Sequence, residues 1–260
     1  MVGREEKETI DGWVLDDIIG PKVTFNQGDL IKFENENDPL KKVGIIVTAD
    51  CDLENKKHAK TLTLVPVIEP KVIFEYYLIP EDCENKKDII ESYIFKKFSI
   101  NTKQEPVIKL AILREFIHSS NVDKNSLEYL AANLLLGQLS FVTINAYKAL
   151  MKEINVSAKK LESFQEQIRK RGDLLILPAA QKLGISGCVA WVRHIWQVPI
   201  SSVAIKTSEI QNCPGERVAR LDSPYRYRLT QLMAQVFSDI GLPGTPGFID
   251  KLIEDTYNNG

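Results

Sequence analysis

A chain of 260 residues with 44% hydrophobic and 26% charged side chains has a globular composition and is long enough to bury its own core, which excludes the disordered and fibrous classes. Its 33 Lys and Arg against 35 Asp and Glu leave a formal charge of −2, so no overall basic field drives non-specific nucleic-acid binding and any such site must be local. The longest apolar runs, such as Leu174–Ala180 and Leu134–Leu136, fall far short of the roughly 20 residues that span a bilayer. The charged start MVGREEKETIDGW has no apolar signal core, so a cytoplasmic protein without membrane association is expected.

In chain order, Trp13, Val14, Ile18 and Ile19 share a helical face in an N-terminal arm that Gly20-Pro21 ends. Strand-like runs follow at Leu30–Phe33, Val43–Thr48, Thr61–Ile68 and Val72–Leu78, the last rich in aromatic and β-branched residues. From Asp88 to Arg171 the apolar period becomes that of a helix. Pro106–His118 brings Val107, Leu110, Ala111, Leu113 and Ile117 to one side. Ser126 reads as the N-cap of one long helix to Ile154, apolar around most of its circumference and suited to burial or to a homo-oligomer contact. A charged third helix covers Ser157–Arg171.

After Gly172 the strand signal returns at Asp173–Leu177, Gly187–Gln197 and Ser202–Lys206, with Pro178 and Pro199 as punctuation. Ser223-Pro224 reads as an N-cap and first helical residue opening a helix to Ile240, whose apolar stripe is Leu229, Leu232, Met233, Val236, Phe237 and Ile240. A short final helix turns Phe248, Leu252 and Ile253 inward.

The run Gly28-Asp29-Leu30-Ile31, then Lys42-Val43-Gly44-Ile45-Ile46-Val47-Thr48 and Leu64-Val65-Pro66-Val67, resembles the opening half of the MazF/PemK-type toxins, and Gly187–Ile200 is similar to their closing strand. The resemblance implies an SH3-like barrel and a sequence-selective ribonuclease with an arginine and a serine or threonine in its site. On this chain those positions fall on Lys42 and Ile68. Lysine keeps the charge but not the planar fork, and isoleucine offers no proton, so the fold carries over more readily than the catalytic pair.

Three constellations stand out from the residues themselves. In Asp50-Cys51-Asp52, an extended backbone points both carboxylates one way, as a divalent cation or an acid and base pair requires; the plainer reading is a turn capped by aspartates. A Cys51 nucleophile needs a base from His58, His118 or His194. No other cofactor is indicated: Cys51, Cys83, Cys188 and Cys213 form no CxxC pair, and the last three are expected as thiols packed in the interior. In Trp191–Trp196 a strand sets Trp191, Arg193 and Ile195 against Val192, His194 and Trp196, a face for stacking RNA bases or for core packing. Arg217, Arg220, Arg226 and Arg228 around Tyr225 and Tyr227 form an anion-binding candidate at a helix start.

The expected fold is α+β, an SH3-like β-barrel interrupted by a helical insertion and followed by C-terminal helices. Residues 1–87 hold the arm and first barrel strands, 88–171 the insertion, 172–210 the closing strands and 211–260 the last helices. The expected function is a bacterial toxin-like or defence-associated module that binds RNA or a macromolecular partner, with the Asp50–Asp52 loop and the Arg217–Arg228 segment as contact sites. The alternatives are a metal-dependent nuclease or hydrolase using Asp50 and Asp52, with Lys42 or His194 assisting, and a non-catalytic adaptor.

Overall fold

The computed structural model describes residues 10–15, 24–55, 60–119, 122–204, 209 and 211–238. The chain divides into two units, one within residues 1–67, 172–185 and 189–260, the other within 68–171 and 186–188.

The first unit carries a curled, largely antiparallel half-barrel sheet. Its strands are β1 (Trp13–Leu15), β2 (Asp29–Phe33), β3 (Val43–Ile46), β4 (Thr61–Ile68), β5 (Leu174–Ile176), β6 (Val189–Trp191), β7 (Trp196–Pro199), β8 (Val203–Ala204) and β9 (Gly215–Leu221). The order is β1-β9-β2-β3-β4-β6-β5, with β7 on β4 and β8 parallel to β9. Leu30 lies opposite Ile45 and Ile45 opposite Val65, so the alternation of each strand sends two apolar sets to opposite faces. One set, with Leu30, Ile45, Val65, Ala219 and Leu221, packs on Leu229, Leu232 and Val236 of the C-terminal helix α9 (Tyr225–Ser238). The other, Ile31, Ile46, Leu62 and Leu64, closes on Phe25, Val203 and Leu53, the last from a short helix α1 (Asp50–Asn55).

Several expectations change here. Trp13 and Val14 lie in β1, opposite Leu221 and Arg220, and not on a helical face; the tight turn at Gly12, φ 81°, feeds this pairing. Ile18 and Ile19 lie outside the described residues, as do His58, the residues after Ala204 to Ser208, Ile240 and the final segment with Phe248, Leu252 and Ile253. The run Gly187–Gln197 is two strands, because the chain turns at Val192–Ile195, where the His194 N–H donates to Trp191 O at 3.2 Å. β9, in the stretch expected to hold only the last helices, is the strand that joins β1, β2 and β8.

The second unit is helical. Its first helix runs as α2 (Pro70–Ile73), a π turn over Phe74–Leu78 and α3 (Ile79–Asn85), where a strand was expected for Val72–Leu78. Pro70 occupies the first helical position and Ile73, Leu78, Ile79 and Cys83 are buried, so packing on a helical spacing overrides the β propensity of the run. Then come α4 (Lys87–Lys97), α5 (Pro106–Ser119), α6 (Leu127–Leu135), α7 (Ile144–Glu153) and α8 (Leu161–Lys170).

The single long helix from Ser126 to Ile154 is thus two. Ser126 does cap α6, its Oγ accepting from the Tyr129 N–H at 3.1 Å. Gly137, φ 65°, then ends the helix: its N–H donates to Leu134 O at 3.1 Å and that of Gln138 to Asn133 O at 2.9 Å, a Schellman motif. Thr143 caps α7 through the Ala146 N–H, and the buried Glu75 of the π turn accepts from the Ile144 N–H at 3.1 Å. Ala131, Ala132 and Leu135 are buried within this chain.

Candidate functional site

The turn before β2 organises one wall of the half-barrel. The Asp29 N–H donates to Asn26 O at 3.1 Å, the Asn26 N–H donates back to Asp29 Oδ2 at 2.9 Å, and Gly28 between them has φ 95°. Glycine is required there twice over, by the positive φ and by space, since a β-carbon would lie 3.0 Å from Arg226 Cδ and 3.3 Å from Leu221 O.

Asp29 lies opposite Arg220 in the ladder, which brings carboxylate and guanidinium together across strands. Between Leu30 and Ile31 the register shifts, so Ile31 faces Arg217 and Val218 is the extra residue. This bulge turns Arg217 onto the same side as Arg220, although the strict alternation of β9 would have opposed them. Arg220 donates to Asp29 through Nε and, at 3.2 Å, through Nη2. Arg217 Nη1 lies 3.6 Å from Asp29 Oδ2, and both guanidiniums reach Thr24 O, at 3.5 Å and 3.4 Å. The Asp29 and Arg217 side chains are 0% and 1% exposed. Burial pushes the Asp29 carboxyl above its ordinary value, against the opposing pull of Arg220, the Asn26 N–H and Arg217.

Asp50 serves the same turn. Its Oδ1 accepts from the Gln27 N–H at 2.6 Å and from Asn26 Nδ2 at 3.2 Å. It opens α1, so Asp50 and Asp52 lie two residues apart on a helix, about 200° around it, and the extended backbone that would have aimed them together is absent. Cys51 and Asp52 are exposed, with Sγ 4.0 Å from Asp52 Oδ1. Among the described residues no three His, Cys, Asp or Glu side chains converge as a metal site would need.

The other expected site residues are dispersed. Lys42 is exposed beside β3, while Ile68 is buried at the end of β4. Arg193 Nε pairs with Asp173 Oδ2 at 3.1 Å, and Trp191 Nε1 donates to the same oxygen at 3.1 Å. The exposed His194 ring sits 3.9 Å from the Trp191 ring, centroid to centroid. Trp191 is thus core, and the expected aromatic and cationic strand face does not form, because Arg193 and His194 belong to a turn.

At the head of α9, Tyr225 packs against the sheet, whereas Tyr227 is 63% exposed, with the Arg226 guanidinium 5.4 Å from its ring centre. Arg228 is exposed and donates to Gln231 Oε1 at 2.9 Å. Neither Arg226 nor Arg228 has a carboxylate partner among the described residues. The four expected arginines therefore separate into a pair on Asp29, buried Arg217 and half-buried Arg220, and a pair at the head of α9, half-buried Arg226 and exposed Arg228.

Asp29 is the residue that reading the sequence missed. Its signal was present: a charged side chain opening an apolar run directly after glycine, where an inward-facing acid needs a cation. The comparison with known proteins finds no matching family model, no matching curated protein and no matching solved structure.

Proposed function

We propose that this protein is a toxin-like or defence-associated module that binds single-stranded RNA at the head of α9, on an SH3-like barrel without the catalytic pair of the MazF/PemK-type nucleases. The observation that carries this reading is the division among the arginines. Arg217 and Arg220 are turned onto Asp29 by the bulge in β9 and are engaged by that carboxylate, while Arg226 and Arg228 flank an exposed Tyr227. A cationic pair beside an aromatic ring is what a strand with unstacked bases recognises, phosphates by charge and bases by stacking. The positive end of α9 adds to the attraction for an anion.

Lys42 and Ile68, at the positions that the resemblance assigns to catalysis, supply one charge and no proton donor. Binding without cleavage follows. Fluorescence anisotropy with labelled single-stranded RNA tests this: the intact protein binds and leaves the RNA whole, and Arg226→Ala with Arg228→Ala weakens binding at least tenfold. Equal binding by the double variant would remove the site from this face. A complex with a cellular protein that survives high salt, in place of RNA binding, would make the chain an adaptor.

A second reading, a metal-dependent nuclease or hydrolase, draws on the exposure of Asp52 and Cys51 beside Asp50. It requires cleavage stimulated by Mg²⁺ or Mn²⁺ and lost in Asp52→Ala, a residue whose replacement leaves the Asp50 cap intact.

A further inference from the structure

The helical unit contains a cavity of about 290 Å³ between α7, α8 and the first helix, lined by Phe74, Ile79, Ile144, Leu161 and Phe164, with Tyr147 and Ala158 completing the wall and Lys148 and Lys159 beside it. The cavity is held open by its own framework. Phe74 and Phe164 meet edge to face with centroids 5.4 Å apart. The Tyr147 hydroxyl donates to Asp82 at 2.6 Å and accepts from the Lys159 N–H at 2.7 Å, which ties the segment before α8 to α7. Asp82 is itself paired with Lys86, so the tyrosine is fixed on both sides. These contacts fix the walls of the cavity, and a pre-formed site loses less on binding than one that must be ordered.

The charge around the cavity is one-sided. Among the described residues no acidic side chain lines it, whereas Lys148 and Lys159 both do. The Lys159 ammonium lies 5.4 Å from the centre of the Phe164 ring, at the apolar wall itself, and neither lysine has a carboxylate partner among the described residues. Small-molecule sites combine apolar walls with a few placed polar groups, and their volumes start near about 300 Å³.

We infer that this cavity binds a small amphipathic carboxylate, its aliphatic or aryl body among Phe74, Ile79, Ile144, Leu161 and Phe164 and its carboxylate held by Lys148 and Lys159. The inference is independent of the RNA-binding reading, since all the residues it uses belong to the helical unit. It would give the protein a response to an acyl-chain or aryl acid in addition to its surface chemistry.

Isothermal titration calorimetry with octanoate, octanol and butyrate as probes separates the two halves of the claim. Octanoate should saturate one site on the full chain, octanol should bind more weakly, and butyrate, which has the charge without the body, should give no saturable heat. Lys148→Ala with Lys159→Ala should weaken octanoate about tenfold or more and leave octanol unchanged. Ala158→Trp, which fills the cavity, should abolish both, with circular dichroism and the melting transition reporting that each variant is folded. Equal affinity for octanoate and octanol, an unchanged octanoate affinity in the double lysine variant, or no saturable binding of octanoate to the folded intact protein would each overturn the proposal.

Discussion

Asp29 is the most constrained charge among the described residues. A carboxylate with no exposed surface must find its compensation inside the protein, and the β9 bulge supplies two guanidiniums where regular alternation would supply one. Asp29→Ala removes the buried carboxylate that Arg217 and Arg220 share, and the expected loss is about 3–5 kcal/mol in denaturant unfolding. A loss below about 1 kcal/mol would mean that Thr24 O and water suffice for the arginines. Cys83 makes a second residue-level case. Burial, reinforced by the charge of Asp82 and opposed by Lys86, pushes its thiol up to about 12. The native state therefore keeps this proton at pH values where the unfolded chain has lost it, and stability falls as pH rises from about 9 toward about 12. At pH 8, native-state alkylation followed by mass spectrometry should modify the exposed Cys51 well before Cys83. How little of this was legible follows from the kind of fact it is: the acidic and basic residues were plain in the sequence, but their pairing depends on a register shift that no local pattern announces. Asp50 was legible as a turn-capping aspartate, and the structure gives it that work on the preceding turn, a contact across the fold.

At the scale of elements, the runs that could be read were those whose apolar period and capping agreed. Pro106–His118 is a helix ending one residue later, and the helix opened near Ser223-Pro224 begins at Tyr225 with Leu229, Leu232 and Val236 buried as the stripe required. The failures came where one signal outweighed another. In Val72–Leu78 the β-branched and aromatic content concealed a helical start at Pro70, and in Ser126–Ile154 continuous apolarity concealed Gly137 and the Thr143 cap. Gly137 permits a direct check. Its φ is 65° and nothing lies within 4 Å of an added β-carbon, so Gly137→Ala is strained in its backbone and not by crowding. The expected loss is about 1–2 kcal/mol, read as a lower melting temperature. Gly44 is the contrasting case: its φ is unremarkable, but a β-carbon would run into the Trp196 ring and lie 3.1 Å from Leu64 Cβ. Gly44→Ala should cost about 1–3 kcal/mol through displacement of the Trp196 indole, visible as a shift in tryptophan emission. A Gly44→Ala protein with unchanged emission and stability would show that β3 and β7 adjust freely.

At the scale of the whole molecule, the α+β class and the presence of strands on either side of a helical stretch were legible, because change of apolar period along the chain is a long-range signal. A curled sheet was expected through the barrel resemblance, but the part β9 plays in it was not legible, since β9 joins β1, β2 and β8 while Glu216, Arg217 and Arg220 break up its apolar residues. No helix among the described residues is long and apolar enough to cross a membrane. With a formal charge of −2, the molecule has no general attraction for nucleic acid, so the RNA binding proposed above rests on Arg226, Tyr227 and Arg228 acting locally. The most direct test is the dependence of RNA affinity on salt, measured by anisotropy for the intact protein and for Arg226→Ala with Arg228→Ala. Each phosphate neutralised on a single strand contributes about 0.7 to the slope of log affinity against log salt concentration, so the double variant should lose about 1.4 from that slope together with most of its affinity. Identical slopes and affinities for the two proteins would contradict the account.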